Sequence, residues 1–90
     1  MAVIDIIGVN PTAVHLQVKF ASGKQIYFIN LKERMVYLRR SEHRLGADPY
    51  LELTVLEALP ENPSLKQCYD VFADYIQHLE DACSSAVQPT

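Results

Sequence analysis

His15, His43 and His78, with the thiols of Cys68 and Cys83, are the residues of this chain best suited by type to proton transfer, nucleophilic attack or metal ligation. Their spacing organises none of these. No histidine has a Cys, Ser or carboxylate placed to supply nucleophile, base and orienting group from one element. His78 follows Asp74 by four residues, a spacing that suits a surface contact on a helix better than half of a metal site. His15 reads as an outward-pointing strand residue. The cysteines lack a Cys-x-x-Cys spacing, and the chain contains no Walker-type loop, Gly-x-Gly-x-x-Gly run or zincin motif. Cys68 reads as a small core residue and Cys83 as the more reactive thiol. The sequence leans away from an enzyme and implies no metal and no cofactor.

Charge is more informative. The net charge of −3 conceals two halves of opposite sign: residues 1–45 carry +4 and residues 46–90 carry −7. Lys32, Arg34, Arg39, Arg40, His43 and Arg44 fall within thirteen positions that also hold Tyr37. Such a cluster suits an acidic protein patch or a phosphate backbone, because the planar fork of arginine binds either with paired hydrogen bonds. The same cations could equally stay solvated or pair with acids of the same chain, where each exposed pair contributes at most about 1 kcal/mol. Asp70, Asp74, Glu80 and Asp81 form the opposing acidic face, which suits a basic partner or simply a solvated helix. A pI near 5.5 makes nucleic acid the weaker choice of partner.

Periodicity predicts the strands and helices that carry these residues. Val14, Leu16, Val18 and Phe20 alternate with His15, Gln17 and Lys19, which predicts a half-buried strand. A turn at Ala21-Ser22-Gly23-Lys24 and a second strand from Gln25 to Leu31 complete a hairpin. Val3 to Val9 predicts a strand before it, closed by the turn Asn10-Pro11-Thr12, and Met35 to Arg40 predicts a fourth strand. Asp48-Pro49 resembles a helix start, and residues 50–59 read as a short helix, with a fifth strand as the alternative because Leu51, Leu53 and Val55 also alternate. Ser64-x-x-Gln67 is a capping box opening a long helix. Its apolar stripe is Leu65, Cys68, Tyr69, Phe72, Tyr75, Ile76, Leu79 and Cys83. Fifteen residues of helix separate the two cysteines by roughly 22 Å, too far for a disulfide.

These elements predict one α+β domain over residues 1–83, with a polar tail, 84–90, that frays. Its sheet is a four-stranded antiparallel meander, followed by the short helix and a long C-terminal amphipathic helix packed on one face. A chain of this size can bury roughly 64% of its surface, enough for a real core. The second sheet face is then open, carrying some of Ile7, Tyr27, Ile29, Leu31, Met35 and Tyr37, which is too apolar to stay wet, so a second copy or another protein is expected to cover it. The expected function is a small non-catalytic protein-interaction module of adaptor or inhibitor type, homodimeric and cytoplasmic, with no membrane contact. Nucleic-acid binding through residues 32–44 is the first alternative. A small enzyme or ligand carrier with its site at a subunit interface is the second.

Overall fold

A computed structural model describes residues 2–39 and 49–87 of the 90, with side-chain surroundings through residue 82. Arg40, His43 and Arg44 of the basic cluster and the side chain of Cys83 lie outside the described residues. Five strands, β1 (Val3–Asn10), β2 (Ala13–Phe20), β3 (Gly23–Asn30), β4 (Met35–Arg39) and β5 (Tyr50–Val55), precede one helix, α1 (Leu65–Val87). Each strand pairs antiparallel with the next, so sheet order follows chain order. The fold is α+β, and residues 50–55 form the fifth strand that the alternation of Leu51, Leu53 and Val55 allows, not a short helix. Their helical spacing is overruled because β4 offers a free edge whose backbone groups need partners. β5 meets that edge with a bulge at Leu53, since Val36 pairs with Thr54 while Tyr37 pairs with Glu52.

Local chemistry closes the turns. Asn10 Oδ1 accepts hydrogen bonds from the amides of Thr12 and Ala13, and Asn30 Oδ1 accepts from those of Lys32 and Glu33. Between β2 and β3 the turn is the two residues Ala21 and Ser22, with Gly23 at φ 141°, where a side chain would be strained. The capping box forms as expected: Gln67 N donates to Ser64 Oγ at 3.1 Å, and Ser64 N donates to Gln67 Oε1 at 2.8 Å.

Register decides which residues form the core. Val14, Ile29 and Val36 face one another across β2, β3 and β4, as do Leu16, Tyr27 and Leu38. Cys68, Phe72 and Ile76 of α1 are buried in the same core. Tyr27 and Ile29, expected on the open face, are 5% and 0% exposed beneath the helix, and Leu31 packs against this core too. The reason lies in the hairpin. A two-residue turn that pairs Phe20 with Gly23 also pairs Leu16 with Tyr27 and so puts both on one face. Leu65 and Tyr69, at the start of the expected helix stripe, remain 45% and 36% exposed.

Candidate functional site

The face of the sheet turned away from α1 carries one continuous row. Gly8 of β1, His15 of β2, Phe28 of β3, Tyr37 of β4 and Glu52 of β5 are successive register partners. Phe28 and Tyr37 stack with centroids 4.6 Å apart and planes 7° from parallel. Rings lying flat and side by side would collide at that separation, so these stand up from the sheet, face against face. His15 stacks at 5.5 Å from Phe28, and Tyr50 meets the same ring edge-on at 4.8 Å. Tyr37 Oη donates to Glu52 Oε1 at 3.5 Å. The row is thus a ridge of ring edges, with the faces of Phe28 already occupied.

Charged residues flank it. Lys19 pairs in register with Lys24, and Arg39 ends β4 beside Tyr50; all three cations are exposed, while Asp5 and Glu52 are the acids on this face. Asp70, Asp74 and Asp81 are exposed on α1, across the sheet from the row. Among the described residues the acids of α1 and the three cations Lys19, Lys24 and Arg39 therefore stand on opposite sides of the sheet. Among the described residues, no ion pair joins Asp70, Asp74 or Asp81 to a cation of the strands.

The expected basic cluster is divided by β4. Tyr37 and Arg39 stand on the open face, and Arg39 ends the strand roughly 17 Å from Arg34, which precedes it. Arg34 plays a structural role, because its Nη1 donates to the carbonyl of Leu59 at 3.1 Å and its own carbonyl accepts the amide of Leu56 at 2.7 Å. It does so from φ 58°, a left-handed conformation unusual for a residue with a side chain. Lys32 is exposed in the same turn.

No protein-family model matches the chain, and neither a curated protein nor a solved structure matches it significantly. Function must be read from the surface itself. Sequence reasoning missed His15, Phe28, Tyr50 and Glu52 as members of one row. The signal was present for His15 and Phe28, because the two-residue turn sets their pairing, but Glu52 and Tyr50 required the fifth strand.

On the acidic helix, Glu80 Oε1 accepts the amide of Ala2 at 3.1 Å and Asp81 Oδ1 accepts from Gln77 Nε2 at 3.2 Å. His78 Nδ1 donates to the carbonyl of Asp74 at 2.8 Å and lies 3.7 Å from Asp74 Oδ2. The carbonyl bond first, and then the Asp74 charge, raise the His78 pKa above its ordinary 6.5. A raised folded-state value means that protonated His78 stabilises the fold below the unfolded pKa and that this is lost as pH rises through the folded one. His78→Ala is accordingly expected to lower Tm slightly at about pH 5.5 and to leave it unchanged at about pH 9, with a histidine NMR titration confirming the raised value. An equal effect at both pH values would assign the contact no charge-dependent part.

An apolar cleft of about 440 Å³ opens between the β2–β3 turn and the C-terminal half of α1, lined by Phe20, Tyr27, Leu38 and Leu79, with Gln25 and Glu80 as polar groups. Among the described residues, no group of three or more His, Cys, Asp or Glu is placed to hold a metal ion. No described helix is long and apolar enough to cross a membrane.

Proposed function

We propose that this chain is a non-catalytic protein-interaction module, of adaptor or inhibitor type, whose open sheet face docks a protein surface that is apolar at its centre and acidic at its margin. The observation that carries the reading is the standing row His15–Phe28–Tyr37 with Tyr50 against it. Ring edges offer area and shape to an apolar protein surface at low entropic cost. Exposed Lys19, Lys24 and Arg39 around the row supply the charge that an acidic margin complements.

The same geometry weakens the nucleic-acid alternative. Bases bind open sheets by stacking on exposed ring faces, and Phe28 has His15 on one face and Tyr37 on the other. A net charge of −3 works against a phosphate backbone as well.

The experiment is a tagged pull-down with cross-linking, with and without nuclease, comparing wild type with Tyr37→Lys and Arg39→Glu. A nuclease-resistant protein, cross-linked to residues of β3, β4 or β5 on the open face and lost in both variants, is the expected result. Recovery abolished by nuclease would transfer the site to nucleic acid. An empty wild-type lane, or a partner that both variants retain, would overturn the reading.

A further inference from the structure

β1 lies at the edge of the sheet with β2 as its one strand neighbour, so among the described residues no strand pairs with its outer edge. It is nonetheless apolar on both faces. Val3, Ile6, Ile7 and Val9 are 54%, 36%, 52% and 58% exposed. Ile6 and Val9 pair with buried Leu16 and Val14 and so belong to the helix side, whereas Val3 pairs with exposed Lys19 and belongs to the open side. Ile7 is the bulge residue between the two registers.

The helix adds to this surface. Glu80 reaches Ala2, just before β1, and Tyr69, about three turns earlier, falls on the same flank of α1 with Leu65 one turn beyond it. Four of the eight large apolar side chains exposed among the described residues therefore lie on β1 itself, Val3, Ile6, Ile7 and Val9, and helical spacing from Glu80 puts Tyr69 and Leu65 on the neighbouring flank of α1. Edges left to water are ordinarily blunted with Lys or Pro, and β1 has neither. Its one charge is Asp5, and its one irregularity is the bulge.

We infer that two copies of this chain join β1 to β1 in antiparallel register, about a two-fold axis perpendicular to the sheet. Ten strands then run continuously, both helices lie on one side, and the two aromatic rows lie on the other, each running outward from the seam. A second copy is the occupant that this edge fits. Antiparallel pairing of a strand with its own copy is isologous, so each edge supplies the donors and acceptors the other lacks. The six side chains expose on the order of 500 Å² per chain, so a pair can bury up to about 1,000 Å² of their surface, the lower bound for a biological interface and the size of a weak, concentration-dependent dimer. The two-fold also places the Lys19 and Lys24 end of one copy beside the uncharged Asn10 end of the other, which keeps like charges apart. This goes beyond the open-face reading and does not rest on it, because β1 pairing leaves that face free.

Sedimentation equilibrium at roughly tens of micromolar should give a dimer for the wild type. Val9→Lys should weaken self-association by about tenfold or more, because each new charge replaces an apolar side chain at the seam and must be desolvated there. Tyr37→Lys, on the open face, should leave it unchanged. Hydrogen exchange of the wild type at two concentrations supplies a readout that needs no variant: β1 amides should slow as concentration rises. A monomeric wild type, a dimer indifferent to Val9→Lys, or β1 exchange independent of concentration would each overturn the inference. Dissociation by Tyr37→Lys alone would place the self-contact on the open face and so remove that face from the protein-partner reading instead.

Discussion

Phe72→Ala is expected to destabilise the fold by about 3–5 kcal/mol, lowering Tm by at least about 12 °C in calorimetry or thermal circular dichroism. Phe72 is 0% exposed near the middle of the described core. Its ring meets Tyr27 edge-on at 5.5 Å and Tyr75 at 6.2 Å. On the same helix face, Cys68 and Ile76 lie one turn to either side, each 1% exposed. Truncation removes the transfer free energy of the ring and leaves a cavity that the sheet and helix can close only in part. A domain of this length has a total stability of roughly 5–14 kcal/mol, so the variant approaches the threshold of unfolding. Asp70→Ala, at an exposed position of the same helix, should change Tm little and serves as the control. A Phe72→Ala variant that melts within a few degrees of wild type would contradict a helix seated on this face.

Leu59→Ala is expected to cost about 2–5 kcal/mol, although Leu59 belongs to neither strand nor helix. It is 1% exposed, and Leu56, in the same connection, is 5% exposed. Connections outside strands and helices usually tolerate truncation, and Leu59 lies in one that also holds Pro60 and Pro63. Here the loop is held down. Leu59 N donates to Leu56 O at 3.0 Å, Leu56 N donates to Arg34 O, and Arg34 Nη1 donates to Leu59 O. Those bonds lower two leucines into the core and fix the distance over which the chain passes from β5 to α1. Arg34→Ala should therefore cost about 1–2 kcal/mol, and the double variant should lose less than the sum, because both changes release the same loop. Urea unfolding of the four proteins gives the coupling directly. Full additivity would show that Arg34 and Leu59 act independently.

Much of this fold is legible locally. Alternation marks β2, the residues Asn10 and Asn30 head turns through their own side chains, and Ser64 and Gln67 announce the helix start, because each effect acts within a few residues of its cause. Residues 50–59 resist local reading because Leu51, Val55, Leu56 and Leu59 satisfy a helical period while Leu51, Leu53 and Val55 satisfy an extended one. Only the free edge of β4 selects between them. The candidate site shows the same division. Tyr37 and Arg39 stand out by type and neighbourhood, but grouping Arg34 with them by proximity in sequence fails, because β4 is extended and separates its ends.

Composition and short-range period are enough to set the element types of β1 to β4 and α1, the α+β class and the opposite charge of the two halves. Long-range pairing was needed to make segment 50–55 a strand, to bring Tyr27 and Ile29 beneath the helix while His15, Phe28, Tyr37 and Tyr50 form one row, and to make Arg34 hold a loop. The physical reason is that face and contact in a sheet are set by register, and register joins residues whose separation in sequence carries no signal of their meeting in space.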